Sequence, residues 1–386
     1  MPPRSLYVHI PFCASRCFYC DFNSFVAPDS VRAAYVEALA RELALLRDEY
    51  FGAGARPPLD TVFFGGGTPT LLTAGEWDLL ADRLDRLFAI TGGAEWTVEA
   101  NPGTVDGNSL RRLRALGVNR LSLGAQTLND ALLMAIGRLH AAEDVLRSVG
   151  AAQEAGFTRL NLDFMLGLPG QTTADVEASL EGALAAGVNH VSAYGLKVEE
   201  GTPFADWQRR GLLHLPDEEL EADMYEWTRT ALAAGGLAQY EISNFAAPGE
   251  PARHNLVYWE NLPYLAAGAG AHGYAFGRRY ENERSLAGYA AGLAAGRRPV
   301  ARWLPVPESE AMENTMMLGL RLAEGVSHAH FERLHGASPR AVFRKELDRL
   351  EKAGLLRDDG RRIVIPAGRF AVANAVFAAF VGALTA

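Results

Sequence analysis

Runs of β-branched and aromatic residues recur along the chain roughly every thirty positions, and each gives way to a stretch in which apolar residues return with helical spacing. Six such runs stand out: SLYVHI from Ser5, DTVFFG from Asp60, EWTVEA from Glu95, RLSLGA from Arg120, RLNLDFMLG from Arg159 and HVSAYGL from His190. Between them lie amphipathic segments such as SVRAAYVEALARELALLRDEY and TADVEASLEGALAAG, with Gly, Pro or Asn at the seams. A strand followed by a helix six times over predicts an α/β protein with a parallel sheet. Six units fit a curved, incomplete (β/α)6 barrel over residues 1–235.

After residue 235 the rhythm changes. YEISNFA and the Gly-rich AAGAGAHGYAFG lead to an Arg/Pro-rich seam, AAGRRPVARWLPVP. Residues 236–300 read as an extension of the barrel and 301–386 as a smaller, mostly helical domain. Within the latter, LEKAGLLRDDGRRIVIP has the helix, turn and two short strands of a winged helix. A winged helix raises the question of DNA binding, and residues 339–370 hold nine Arg or Lys against five Asp or Glu. A structural cap on the barrel is the favoured reading, because no aromatic or Asn/Gln recognition cluster accompanies those charges. The apolar run from Phe370, FAVANAVFAAFVGALTA, is interrupted by Asn374 and falls short of a membrane span; it is expected to dock as a C-terminal helix.

Composition changes this picture little. Of 386 residues 49% are apolar and 22% charged, as in ordinary globular proteins, and the net charge of −9 argues against nucleic acid as a partner. MPPRSLYVHIPF runs straight into the first strand pattern without the features of a secretory signal, so a cytoplasmic protein is expected.

The chemistry lies in the three cysteines, Cys13, Cys17 and Cys20, which fall within eight positions after the first strand. In a reducing compartment such a cluster points to metal or catalysis rather than to disulfides. Soft thiolates select iron–sulfur clusters, zinc or copper(I). Cys-x3-Cys-x2-Cys can serve three irons of a [4Fe-4S] cube and leave the fourth open; a zinc site completed by His9 or Asp21 is the alternative. The other polar signals also sit at strand ends, where ligands bind in parallel α/β folds: GGGTPT, EANP, GAQT and DFMLGLPGQT. GGGTPT lacks the Lys and spacing of a phosphate-binding P-loop.

The cysteine loop, with Tyr19 before its last cysteine, resembles the signature of the radical S-adenosylmethionine (SAM) superfamily. The resemblance implies a [4Fe-4S] cluster on Cys13, Cys17 and Cys20, whose open iron is chelated by SAM and whose reduction cleaves SAM to a 5′-deoxyadenosyl radical. It implies a barrel of the radical SAM type. It also implies a SAM site built from Tyr7, Gly65, Gly66, Thr68, Glu99, Gln126, Arg138 and Asp163.

YVHIPFC, FFGGGTPT, VEANP, LSLGAQ and LDFMLGLPGQT are similar to the coproporphyrinogen III oxidase-like branch of that superfamily. The branch contains a dehydrogenase that decarboxylates two propionates and heme chaperones that deliver heme to apoproteins. The dehydrogenase carries a fourth cysteine two positions after the third, where this chain has Phe22. The chaperones carry His-Asn-x-x-Tyr-Trp, which stands here as HNLVYW from His254. Both features imply a heme chaperone with heme held by His254, Tyr258 and Trp259; the runner-up is the dehydrogenase. The implied partners are heme-accepting apoproteins, with peripheral membrane association through partners and cluster-dependent dimerisation left open. His272, in a glycine setting, is assigned no role.

Overall fold

The computed structural model describes residues 1–384. All six anticipated strands are present: β1 (Ser5–Ile10), β2 (Pro58–Gly66), β3 (Ala89–Ala100), β4 (Arg120–Gln126), β5 (Arg159–Leu166) and β6 (His190–Gly195). They pair in parallel in chain order and form a partial (β/α)6 barrel. Three short strands extend the sheet to nine. β7 (Ala238–Glu241) and β8 (Asn244–Ala246) add antiparallel beyond β6, while β9 (Leu265–Ala267) adds parallel beyond β1. Then follow an antiparallel sheet of β10 (His272–Ala275), β11 (Arg278–Asn282) and β12 (Val300–Pro305) and a small one of β13 (Val326–Ser327), β14 (Arg357–Asp358) and β15 (Arg362–Val364).

Register divides the barrel strands into two faces, because successive side chains point to opposite sides. One row runs Val8, Phe64, Val98, Leu121, Leu160, each paired with the next and all buried in the main core. The adjacent row on the other face runs Glu99, Ser122, Asn161, His190. The apolar row buries against the flanking helices, at about 1.5–3 kcal/mol per large side chain. The polar row lines the inside of the barrel, where carboxylates, amides and an imidazole must satisfy one another or a ligand.

The inside is closed toward the amino ends of the strands by the short helix Arg253–Trp259. Its first amides, on Arg253 and His254, donate to the buried Glu95 at 3.1 and 2.9 Å, and the His254 ring packs on Phe63. β9 is held beside β1 by a second buried acid. Glu42 on the helix Asp29–Phe51 accepts from the Gly268 amide (2.7 Å), Asn282 (2.6 Å) and the Tyr289 hydroxyl (2.6 Å).

A second core gathers Met316, Phe331, Phe343, Leu347, Ile363, Val376 and Phe380. The expected helix, turn and two strands are there as Arg344–Lys352, β14 and β15. Arg340 is engaged by Glu351, Asp348 and Asp358, and Arg362 by Glu324, so part of that segment's positive charge is internally paired. From Phe370 the chain completes a 3-10 turn and a six-residue helix, Ala373–Ala378, rather than one long helix; residues 385 and 386 of that run lie outside the described residues. Among the described residues no helix is long and apolar enough to cross a membrane.

Replacing Glu42 with Leu strands three buried donors at a cost of about 1–3 kcal/mol each. A loss of at least about 3 kcal/mol is expected from the denaturant midpoint, with Glu42→Gln milder.

Candidate cofactor site

The cysteine loop is pinned at its base. Cys13 donates its amide to the Phe25 carbonyl (3.0 Å), and Phe18 bonds through its amide to Ile136 and through its carbonyl to the Phe204 amide. The Phe18 ring packs on Trp207 and over Gly137, where a side chain would collide with it. So held, Cys13, Cys17 and Cys20 line one cavity of about 440 Å³ at the carboxyl ends of the strands. Burial pushes the Cys13 thiol up and the Cys20 thiol up to about 11. A metal binding there has to displace those protons.

A chain of hydrogen bonds closes behind the sulfurs. The Thr68 hydroxyl donates to Cys13 Sγ (3.7 Å) and accepts from Asn101 Nδ2 (2.7 Å). Arg138 donates to Asn101 Oδ1 (2.6 Å), to the Gly124 carbonyl and to Cys17 Sγ (3.5 Å). Its Nε is buried without a partner, a donor left for a ligand. Thr68 and Arg138 were expected to meet SAM directly; here both also touch the cysteine sulfurs. Asn101, which links them, escaped the sequence reading although it stands in the EANP segment.

The facing wall is acidic. Glu99 accepts one hydrogen bond, from the Gly66 amide at 3.0 Å; burial, reinforced by the charge of Asp163, raises it to about 7. Asp163 is also raised by burial but is better satisfied, by Ser122 (3.0 Å) and Asn161 (2.7 Å). An under-bonded buried carboxyl in a cavity calls for a cation or hydroxyl donors. Gln126 ends β4 at φ 68°, an outlier for a non-glycine residue, and sits on the same cavity.

Of the expected SAM residues, Gly66, Glu99, Gln126, Arg138 and Asp163 share the cavity with the cysteines. Gly65 and Thr68 stand behind it. Glycine is required at 65 because a Cβ would lie 2.8 Å from Glu99, and at 66 because it would lie 2.2 Å from the His9 ring at a φ of 108°. Tyr7 lines a neighbouring cavity of about 420 Å³, its hydroxyl 2.9 Å from His9 Nδ1. His9 Nε2 lies 2.9 Å from the Asn23 carbonyl. With both its nitrogens engaged, His9 is not free to complete a zinc site. Asn244 and Asn255 also line the first cavity, and neither was singled out from the sequence.

The expected heme residues divide. His254 is 0% exposed; its Nδ1 meets Thr61 Oγ1 at 2.7 Å and its Nε2 meets the Tyr258 hydroxyl at 2.9 Å. Burial lowers its pKa to about 3, so it stays neutral. The axial nitrogen expected of His254 is therefore not on offer in this structure: the ring is a satisfied part of the helix that plugs the barrel. Tyr258 and Trp259 do reach a cavity, of about 380 Å³, and the histidine beside them there is His272.

The sequence matches the radical SAM superfamily over residues 7–183 and the HemN C-terminal domain over residues 306–369. A Bacillus subtilis protein named heme chaperone HemW is 40% identical over 99% of this chain and 100% of its own length. A Mycobacterium tuberculosis protein of the same name is 37% identical over 98% and 95%. The chain belongs to the radical SAM superfamily, in its coproporphyrinogen III oxidase-like branch. A mitochondrial radical SAM domain-containing protein 1 from Bos taurus is 35% identical over 92% of this chain and 82% of its own. The coproporphyrinogen III oxidase HemN of Escherichia coli shares the fold, with a TM-score of 0.85 at 23% identity over 99% of this chain and 91% of its own. Iron–sulfur and SAM chemistry belong to this superfamily. The donor set fits both: three thiols on one cavity, a buried guanidinium with a spare donor, and an acid short of partners.

In the ligand-free chain Glu99 keeps a proton that the unfolded chain releases between about pH 4.5 and 7. That part of the stability is present at low pH and lost as pH rises through this window. Glu99→Gln should therefore raise the ligand-free Tm at pH 8 and leave it unchanged near pH 4.5; equal shifts at both pH values would contradict the assignment.

Proposed function

We propose that this protein is a heme chaperone that binds a [4Fe-4S] cluster, SAM and heme and passes the heme to apoproteins. The observation that carries the reading is full-length likeness to chains named heme chaperone HemW. Phe22, where the porphyrinogen-oxidising branch has its fourth cysteine, supports it. Cys13, Cys17 and Cys20 would hold the cluster. Arg138 and Gln126 would orient the SAM carboxylate and neighbouring polar groups, while Glu99 and Asp163 would receive its ammonium and ribose hydroxyls. When bound, cluster and SAM supply one-electron chemistry; the chain's part is to seat them at the strand ends and restrict water. Heme would lie beside them, against the rings of Tyr258 and Trp259. Its recipients would be heme-accepting apoproteins, with any association with a membrane made through partners.

The second reading, a coproporphyrinogen III dehydrogenase, rests on the fold shared with HemN. After anaerobic reconstitution with iron, sulfide and SAM, and with dithionite supplied as the electron donor, the chain is expected to leave coproporphyrinogen III unchanged. Loaded with hemin, it is expected to transfer it to an apo-acceptor. Protoporphyrinogen in the first assay would overturn the chaperone reading. Glu99→Gln is expected to weaken SAM binding at least about tenfold in equilibrium dialysis, the loss of one charge-assisted bond.

A further inference from the structure

Beside the cysteine cavity the wall continues into the two smaller ones. The cavity of about 420 Å³ shares Phe22, Gly66 and Glu99 with the first, and the cavity of about 380 Å³ shares Tyr258, Tyr264 and His272 with the second. His272 thus stands where these two meet. Its side chain is 65% exposed, and its nearest polar contact is Glu281 Oε1 at 3.7 Å. Arg284 lines one cavity and Arg279 the other; among the described residues neither is in an ion pair.

The local sequence aims His272 this way. In GAGAHG, a Cβ on Gly273 would lie 2.2 Å from the Tyr280 ring and one on Gly270 would lie 2.7 Å from Asn23 Nδ2. The segment is therefore pressed between Tyr280 and Asn23. Gly273 faces Tyr280, which turns its neighbour on β10, His272, to the opposite side.

We infer that His272, not His254, supplies the axial nitrogen to heme, with the porphyrin lying along Tyr258, Tyr264 and Trp259 and its propionates meeting Arg279 and Arg284. The inference rests on the heme reading above. Iron porphyrin needs a nitrogen or sulfur donor, flat apolar walls and cations for two carboxylates, and this groove presents all three. His254 would have to give up two hydrogen bonds and a packed position before it could reach a ligand. His272 gives up none shorter than 3.7 Å. An exposed ligand on an open groove also suits delivery, since an acceptor can approach the iron without unfolding the donor.

The test is hemin titration of the full chain, read by the Soret band and by low-temperature EPR. His272→Ala should weaken binding at least about tenfold and shift the Soret band, with far-UV circular dichroism unchanged. Free imidazole should restore the spectrum, and His272→Met should give a different axial signature. His254→Ala should lower stability but keep the wild-type Soret band once folded. Arg279→Ala with Arg284→Ala should weaken binding without moving the band. An unchanged affinity and spectrum in His272→Ala would overturn the inference while leaving the heme reading standing. A wild-type chain that takes up no hemin would overturn the heme reading itself.

Discussion

The upper end of the barrel closes on the ring of His9. One nitrogen lies 2.9 Å from the Tyr7 hydroxyl and the other 2.9 Å from the Asn23 carbonyl. Gly66 packs directly beneath, and the His9 carbonyl takes the Tyr35 hydroxyl at 2.7 Å while Gly268 presses on it from the other side. Strand β1, the cysteine loop, the glycine loop and β9 therefore meet at one residue. Burial lowers its pKa, against the bond to Asn23, and this suits the geometry: a neutral imidazole donates to the carbonyl and accepts from the hydroxyl. A charged ring would turn the Tyr7 hydroxyl into an acceptor and leave its own proton without that partner. The cysteines are held in place because the loop that carries them is fixed at His9 on one side and at Phe18 on the other.

That precision has a cost inside the barrel. The inward row of Glu99, Ser122, Asn161 and His190 removes polar groups from water, and most of them recover the loss from one another. His190 meets Asn161 at 2.6 Å and Tyr240 at 2.9 Å, and Asn161 also donates to Asp163. Glu99 is the member left with a single backbone donor, and it is also the member that faces both the cysteine cavity and the next one. A residue under-satisfied in the empty protein is where a ligand gains most, because its hydrogen bonds then replace nothing already present. Asp163, better satisfied, also holds Ser122 and Asn161 in register.

Much of this was legible in the sequence, and the failures have physical reasons. The six barrel strands announced themselves because each is long enough to show composition and is separated from the next by a helix. Strands β7, β8 and β9 have three or four residues apiece and exist only because a sheet edge is there to pair with, which no local pattern encodes. Cys13, Cys17 and Cys20 are close in sequence and so their meeting was visible; the link from Cys13 through Thr68 and Asn101 to Arg138 spans four loops and was not. HNLVYW was recognised as a motif, yet motif and role came apart. Helical spacing places His254 and Tyr258 one turn apart on the same face, and Glu95 and Thr61, distant in sequence, draw that face into the barrel. Closeness in sequence hides that the helix presents His254, Tyr258 and Trp259 to different surroundings.

Phe22 connects these points. It is 62% exposed, on the wall shared by the cysteine cavity and the groove beside His272. A cysteine there would add a fourth thiol to the cavity; a phenyl ring adds a flat apolar surface instead. The next residue, Asn23, donates to the carbonyls of Ala269 and Arg284, at 3.0 Å each, and so ties the cysteine loop to the segment carrying His272. The two sites therefore have Phe22 in common and are joined through Asn23. On the proposed reading the cysteine loop thus has a second task besides holding iron: Phe22 and Asn23 make it one wall of the groove in which heme would lie.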